Sequence, residues 1–348
     1  MPLDPLAAEL KSLRDRIYSL ERRGTYPPAV ADSTWQVVSS FTNSWVNYDA
    51  TWPTAAYRID SEGWLIMRGL LRSGTLNTIA FTLPVGYRPA ITQIVRTNAN
   101  DTAAWIQVAT NGQVTLFSSS NALVSLAHVQ IPLWNTNNLR LTKLGLPFYT
   151  SETDNRHHRL YLRRSGMWEL TGMAAVGTAG NSISLNGVGP DFADVYWAAG
   201  TTPTSGRVDI GLNSFTFPAG FTPSTNFTVL GGISWPDPSI EPNYTTLTLQ
   251  NSWAYYGIGN SQWAAPGYYK DSNGYVHVRG LIKDGSSATA QIATLPAGYR
   301  PAGRTMFATY GASGIVGIEV GSAGAIIPRN ASTRTYLSLA GISFLAEN

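Results

Sequence analysis

The sequence predicts an all-β fold, in which a short N-terminal helix precedes three tandem antiparallel β-sandwich domains of jelly-roll-like type. Two features of the composition favour many short strands joined by turns: the chain has 33 Gly and 20 Pro, and only 13% of its residues are charged. The third observation is an internal repeat of roughly 100 residues. With 348 residues, the chain is long enough for two or three domains.

The N-terminal residues carry the heptad seam of a coiled coil. Their apolar side chains alternate three and four positions apart, which places them on one stripe of a helix; they are Leu3, Leu6, Leu10, Leu13, Ile17 and Leu20. Gly24 and the Pro-containing linker at 25–33 end this helix. We therefore predict a coiled coil over residues 1–24. The alternative is an amphipathic helix that packs on its own domain.

A short motif within this helix favours three chains over two. Residues 16–21 follow the order Arg-apolar-x-x-apolar-Glu, which resembles the trimerisation motif of short coiled coils. In that motif the arginine pairs with a glutamate of the neighbouring helix. The predicted assembly is a homotrimer, and its trimerisation residues are Leu6, Leu10, Leu13, Arg16, Ile17, Leu20 and Glu21.

The internal repeat is marked by glycines that have five and then four residues between them. They are Gly63, Gly69 and Gly74 in the first copy, Gly166, Gly172 and Gly177 in the second, and Gly274, Gly280 and Gly285 in the third. The outer copies continue with Leu-Pro-x-Gly-Tyr-Arg-Pro at 83–89 and 295–301, which the middle copy retains only in part. Each copy closes with a leucine that follows the first glycine by 63, 64 or 65 residues: Leu126, Leu230 and Leu339.

The repeated motifs have a direct structural interpretation. The Asp-Ser-x-Gly run before the first glycine predicts a hairpin turn, because glycine supplies the positive φ of a tight turn. The strand that follows is partly apolar on both faces, as expected when one face covers a core and the other a neighbour. The linkers then divide the chain into the coiled coil at 1–24, the linker at 25–33 and sandwich repeats at 34–134, 135–237 and 238–348.

Composition excludes several classes of function. The chain has no cysteine, so disulfides, thiolate metal sites and cysteine nucleophiles are excluded. The net charge is only +3, and no dense basic cluster follows the N-terminal helix, so nucleic-acid binding is not expected. No apolar stretch approaches the ~20 residues of a membrane span, so membrane insertion is not expected.

Motifs of catalysis are missing from the sequence. It contains no Gly-x-Ser-x-Gly elbow, no His-Glu-x-x-His run and no P-loop. The adjacent His157 and His158 would point to opposite faces of a strand, and acids such as Asp191 and Asp194 carry no sign of being paired. We therefore predict a protein that is not an enzyme, with no catalytic residues, no metal site and no cofactor.

Aromatic residues are the best candidates for a binding site. Residues 253–269 hold six aromatic side chains in 17 positions, interspersed with Gly, Asn, Ser and Gln. Exposed rings flanked by amides suit stacking on sugar faces and hydrogen bonding to hydroxyls. The candidate saccharide-binding residues are Tyr255, Tyr256, Trp263, Tyr268, Tyr269 and His277. The alternative is that these rings pack across a subunit interface or cap the sandwich, and for His277 a surface or interface position.

The repeat resembles a known group of proteins. The run Gly-Trp/Tyr-x-x-x-x-Gly, then Leu-Pro-x-Gly-Tyr-Arg-Pro, then a closing Leu-x-x-Ile-x-Phe strand looks like domains of phage tail fibres and minor tail proteins, including receptor-binding proteins of phages that infect Gram-positive bacteria. The resemblance extends over residues 34–346 and is weaker in the middle copy. It implies a trimeric virion protein that binds a saccharide of the host cell wall.

This resemblance also sets expectations for assembly. The N-terminus would join other tail or baseplate proteins, and the sandwiches would stack outward along the three-fold axis, with the last repeat as the distal receptor-binding tip. The protein would be located in the virion tail and become extracellular after host lysis. The alternatives are a structural tail or baseplate spacer that binds no receptor, a depolymerase of surface polysaccharides, and a component of a phage-like injection particle.

Overall fold

The computed structural model describes residues 32–134, 159–163, 165–174, 182–185, 193–200, 205–211, 214–216, 228–237, 243–257 and 262–347. Every regular element in these ranges is a β-strand, and the strands within each sheet pair antiparallel, which confirms the all-β prediction. None of the described segments is a helix that could cross a membrane. The predicted helix at 1–24, with all of its trimerisation residues, lies outside the described residues.

The strands fall into three segments of the chain. The first segment holds β1 (Asp32–Val37), β2 (Val46–Asn47), β3 (Ala56–Ile59), β4 (Trp64–Arg68), β5 (Leu70–Arg72), β6 (Thr78–Thr82), β7 (Gln93–Ala99), β8 (Thr102–Val108), β9 (Gln113–Ser118), β10 (Val124–Ser125) and β11 (Gln130–Pro132). The middle segment holds β12 (Arg159–Leu162), β13 (Met167–Thr171), β14 (Met173–Ala174), β15 (Ser182–Ser184), β16 (Asp194–Gly200), β17 (Ser205–Gly211), β18 (Ser214–Thr216), β19 (Thr228–Val229) and β20 (Ile233–Pro236).

The last segment holds β21 (Thr245–Thr246), β22 (Ala254–Tyr255), β23 (Gly267–Lys270), β24 (Tyr275–Arg279), β25 (Leu281–Lys283), β26 (Ala293–Thr294), β27 (Thr305–Gly311), β28 (Gly314–Val320), β29 (Ala325–Pro328), β30 (Leu337–Ser338) and β31 (Ile342–Leu345). The limits of the domains, as drawn from the linkers, stay a prediction.

The same strand order recurs in the three segments. One sheet has the order β3-β4-β11 in the first, β12-β13-β20 in the middle and β23-β24-β31 in the last. The second sheet runs β25-β30-β27-β28-β29-β26 in the last segment and β14-β19-β16-β17-β18-β15 in the middle one. In the first segment the corresponding strands form two smaller sheets, with the orders β10-β5-β2 and β6-β9-β8-β7.

The repeated sequence motifs build the same local structure. In the outer copies Asp60 and Asp271 accept backbone hydrogen bonds across their own turn, in each case with Oδ1 at 2.9 Å from two N–H groups. The arginine of the Leu-Pro-x-Gly-Tyr-Arg-Pro motif donates back to the leucine carbonyl at 2.9 Å, Arg88 to Leu83 and Arg300 to Leu295. The motifs therefore mark two turns that each close on themselves.

Each segment encloses a core between its sheets. In the first segment, side chains of the sheet with β4 pack against those of β7 and β8, as Leu65, Val95 and Ile106 show. The last segment has the corresponding core around Val276, Phe307 and Ile318. On β4, β13 and β24, alternate side chains point into the segment's own core, and those between them point away from it. Ile66, Glu169 and His277 point away, and all three are nevertheless buried.

The segments pack against one another in a closed ring. The Ser125 hydroxyl of the first segment donates to the Met306 carbonyl of the last at 2.7 Å. The corresponding Ser338 of the last segment donates to the Val195 carbonyl of the middle at 2.6 Å. We call each interface between two segments a seam. At the third seam, between the middle and first segments, the Arg96 N–H donates a backbone hydrogen bond of 3.0 Å to the Gly231 carbonyl. Each segment thus contacts both others, in contrast to the row of stacked domains expected from the sequence.

The three hairpin turns meet at one end of this ring. Arg163 of the middle segment is buried and bonds to the carboxylate of Asp60, and its Nε lies 3.6 Å from a carboxylate oxygen of Glu62. Asn273 of the last segment donates to Glu62 as well, and the Ser61 hydroxyl donates to Asn273 at 3.0 Å. One buried cation therefore holds two acids of another segment.

Two further buried acids have raised pKa values. Burial raises the pKa of Glu169 to about 8, although the charges of Arg163 and Arg96 oppose the shift. Burial likewise raises the pKa of Asp194 to about 7, against the 3.2 Å bond that its carboxylate accepts from the Gly280 N–H. Both carboxyl groups therefore favour the protonated form when the chain is folded.

Stability is expected to fall as the pH rises through the range in which Asp194 titrates. The pKa of Asp194 in the folded chain exceeds the usual value of 3.8. Between about pH 4 and 7 this carboxyl group is therefore protonated in the folded state but ionised in the unfolded state. Each rise of one pH unit in that window lowers the free energy of unfolding by up to about 1.4 kcal/mol. Asp194→Asn keeps an oxygen for the Gly280 N–H and removes the titration. The urea midpoint of Asp194→Asn, measured at pH 5, 6 and 7, should fall less steeply with rising pH than the midpoint of the wild-type protein.

The matched control is Asp49→Asn, which replaces an exposed carboxyl whose pKa is lowered by hydrogen bonds from Thr51. Asp49 is ionised throughout the same window, so its variant should retain the wild-type slope. Identical slopes for all three proteins would contradict the assigned protonation of Asp194.

Candidate functional site

An open groove lies on the last segment, beside the seam with the middle segment. Its volume is about 470 Å³, and it is lined by Tyr256, Lys283, Asp284, Gly285, Arg334 and Thr335. Aromatic and charged side chains therefore share one solvent-accessible depression. A concave surface is the usual form of a small-ligand site.

Three half-buried aromatic rings form a cluster at the groove, and one of them, Tyr256, lines it. The ring of Tyr256 meets Trp263 edge to face, with centres 6.5 Å apart, and meets Tyr336 at 6.2 Å in the same manner. Edge-to-face contacts stabilise such a cluster without stacking the rings flat on one another. Part of each ring thus stays accessible to solvent.

The middle segment completes this aromatic cluster. The guanidinium carbon of Arg207 lies 5.4 Å from the ring centre of Trp263 and 5.2 Å from that of Tyr336. Arg207 donates two hydrogen bonds to Asp209, at 2.6 and 2.9 Å. Although burial disfavours its charge, the bond to Asp209 raises the pKa of Arg207. Asp209 therefore neutralises the charge of this arginine, whose guanidinium packs against both rings.

Local sequence explains how the rings are positioned. Asn251 and Ser252 adopt left-handed backbone conformations, with φ of 50° and 65°, and so turn the chain into β22. The indole of Trp253 then packs where a side chain at Gly285 would stand, because a Cβ at Gly285 would lie closer than 3.0 Å to that ring. Trp263 is fixed by a backbone bridge to Ala193 of the middle segment.

Comparisons give no relative from which to transfer a function. No protein-family model, no curated protein and no solved structure matches this chain. The chemistry of the groove therefore depends on its own side chains. Among the described residues, no three His, Cys, Asp or Glu side chains are grouped to hold a metal ion.

The structure brings together three of the six residues proposed from the sequence. Tyr256 and Trp263 belong to the aromatic cluster, and the Tyr255 hydroxyl donates to the backbone carbonyl of Trp263. Tyr255 thus positions the neighbouring indole. Tyr268 is only 9% exposed and belongs to the core of the last segment, where its ring meets Tyr299. Tyr268 is therefore not part of the groove.

Tyr269 and His277 also lie outside the groove. They are paired on β23 and β24, and their rings stack with centres 4.9 Å apart. The Tyr269 hydroxyl donates to the sulfur of Met167 at 2.7 Å, and His277, 7% exposed, lies 3.1 Å from an oxygen of Asp271. Both side chains pack in the seam with the middle segment, so we omit them from the candidate site.

Sequence reasoning missed the groove residues Lys283, Asp284, Gly285, Arg334 and Thr335, and also Tyr336 and Arg207 of the aromatic cluster. Arg207 belongs to a different segment, and no pattern in the sequence relates it to Trp263. For Tyr336 a signal existed in the repeat, since it stands three residues before the closing Leu339 where the first copy has Leu123. Comparison of the copies position by position would have shown that an aromatic ring replaces an aliphatic side chain there.

A closed counterpart of this cluster lies at the seam between the first and last segments. Tyr48 and Trp52 correspond to Tyr256 and Trp263, and their rings also meet edge to face, at 6.4 Å. The Arg304 guanidinium lies 4.2 Å above the ring of Trp52, and Trp52 is only 7% exposed. At this seam the indole is covered, whereas the corresponding Trp263 of the cluster around Tyr256 is half-exposed.

Proposed function

We propose that this chain is a non-enzymatic adhesion protein that binds a saccharide of a host cell surface. The observation that carries the proposal is the open groove lined by Tyr256, whose ring also meets the half-exposed rings of Trp263 and Tyr336. Half-exposed rings beside hydroxyl and charged groups can cover the apolar face of a sugar ring and bond its hydroxyls.

The same proposal places the protein in a phage tail, as a fibre or minor tail protein. The repeated motifs that resemble such proteins support this, together with the β-sandwich architecture. In this proposal the helix at 1–24 joins three chains and connects them to other tail or baseplate proteins. Each chain would contribute a body of three related sandwich domains, and the trimer would present three copies of the groove. Several weak sites on one particle multiply the overall affinity without new contacts.

Substitution of both Tyr256 and Trp263 by alanine is expected to abolish adsorption to host cells while the trimer stays intact. Loss of two central aromatic side chains typically costs each site about 2 kcal/mol per ring, so about 4 kcal/mol in total, hence a fall in affinity of about 1000-fold. Adsorption assays and a glycan array measure binding, and sedimentation measures the assembly.

The single variant Tyr256→Ala and its counterpart Tyr48→Ala form the matched pair for this test. Both remove a half-buried tyrosine from an edge-to-face pair, but only Tyr256 lines the groove. Tyr48→Ala should therefore adsorb as wild type does. Wild-type adsorption by the double variant would reject the site and favour a structural spacer. Shortened glycan products after incubation with host wall polymer would instead favour a depolymerase.

A further inference from the structure

We propose that the groove selects a saccharide that carries a negative charge, with Arg334 as the residue that binds the carboxylate or phosphate group. This inference rests on the proposed saccharide binding and concerns the same groove. It starts from the charged side chains that line the depression: Lys283, Asp284 and Arg334.

The charges in and beside the groove do not cancel. Lys283 lies 3.5 Å from a carboxylate oxygen of Asp284, so these two form an ion pair. Arg207, behind the rings, is held by both oxygens of Asp209. Within the described part of the chain, the side chain of Arg334 has no hydrogen-bond or ion-pair partner. One half-buried guanidinium thus remains available for an anionic group of a ligand.

The repeat shows what the corresponding position does in the first copy. The backbone of the turn is the same in both copies, because the Ser73 N–H bonds to the Asn121 carbonyl at 2.8 Å and the Asp284 N–H to the Arg334 carbonyl at 2.9 Å. Asn121 uses its side chain within its own segment, donating to the Gly74 carbonyl at 2.7 Å. Arg334 stands in the same place without that structural role.

At three consecutive positions of this turn, the last copy has larger side chains with more hydrogen-bonding groups than the first copy. The first copy has Asn, Ala and Leu at 121–123, whereas the last has Arg, Thr and Tyr at 334–336. The last copy therefore adds a cation and a hydroxyl that line the groove, and an aromatic ring that packs against Tyr256 beside it. A guanidinium binds a carboxylate or phosphate through two parallel hydrogen bonds, while a tyrosine packs against the sugar. These groups together fit an acidic saccharide.

The test uses the full-length chain on an array with three matched series of oligosaccharides: neutral, uronic-acid-containing and phosphorylated. Wild type should prefer the uronic or the phosphorylated series, and these two arms identify the source of the charge. Arg334→Gln should weaken binding to the preferred acidic series about ten- to hundredfold, a larger loss than any that it causes for neutral glycans. The control Arg72→Gln removes an exposed arginine that stacks on Tyr48 at the closed cluster, and it should bind as wild type does.

The possible results separate this inference from the proposed function. If wild type binds neutral glycans as tightly as acidic ones, or if Arg334→Gln binds acidic glycans with wild-type affinity, the charge selectivity is refuted and saccharide binding stands. If wild type binds none of the three series, both proposals are refuted. A rise in ionic strength should weaken binding of the acidic series in wild type, because the contact is between charges near the surface.

Discussion

Replacement of Arg163 by methionine is expected to lower the free energy of unfolding by about 3 to 5 kcal/mol. Arg163 is the buried cation that bonds to Asp60 and lies 3.6 Å from Glu62, where the hairpin turns of the three segments meet. Methionine fills a similar volume but leaves the two carboxylates buried without that cation. Urea or thermal unfolding at pH 7 measures the loss.

The pH dependence of this loss identifies its cause. Burial raises the pKa of Asp60 even in the intact protein, and the charge of Arg163 opposes that rise. Without the arginine the folded pKa rises further above the unfolded value. The variant therefore loses stability as the pH climbs from about 4, and its deficit relative to wild type should be smaller at pH 4 than at pH 7.

An exposed ion pair supplies the control for this prediction. Lys283 and Asp284 lie 3.5 Å apart, with 37% and 61% of their side chains exposed. Lys283→Met should cost less than about 1 kcal/mol, because surface pairs contribute little. If Arg163→Met lowered the free energy of unfolding no more than this control does, or by the same amount at pH 4 and pH 7, the buried contacts of Arg163 with Asp60 and Glu62 would not hold the turns together.

Substitution of Gly231 by alanine is expected to cost about 3 kcal/mol, because the added methyl group meets the backbone of another segment. A Cβ at Gly231 would lie closer than 3.0 Å to the carbonyl oxygen of Ile94 on β7. Backbone atoms cannot rotate aside as a side chain would, so the middle segment would have to move away from the first. The bond from Arg96 to the Gly231 carbonyl would be lost with that movement.

The control for the glycine is Gly321→Ala. A Cβ at Gly321 would meet only the Ala325 carbonyl oxygen, at 3.8 Å, which is ordinary contact. The free energy of unfolding of Gly321→Ala should therefore stay within about 0.5 kcal/mol of the wild-type value. Equal stability of the two variants would show that the third seam tolerates a wider separation than the structure indicates.

The repeat explains why glycine is needed at only one of the three seams. The corresponding positions hold Ala127 and Ala340, which have room for a Cβ at the other two seams. There, Ser125 and Ser338 bridge to the neighbouring segment by their hydroxyls. The middle copy has Val229 at the serine position, and its seam closes instead by direct backbone contact, which leaves no room for a side chain at 231.

Much of the fold was predictable because its rules act over a few residues. The spacing of Gly63, Gly69 and Gly74 reflects a turn, a tight backbone approach and the packing of Trp45 against the last glycine, all within one segment. The Leu-Pro-x-Gly-Tyr-Arg-Pro run closes on itself through Arg88. A repeat of such motifs therefore determined the all-β class and the threefold recurrence of related strands.

The seams and the site were decided by the tertiary structure. Alternation on β24 indicates that His277 faces away from its own core, but it does not indicate that another segment of the same chain covers it. Likewise, Tyr268 and Tyr256 look equivalent in an aromatic-rich stretch, and only the packing separates a core ring from a groove ring. Arg207 and Trp263 meet because the segments close into a ring, and contacts between surfaces distant in sequence depend on shape and charge at the whole interface, which short-range patterns do not encode.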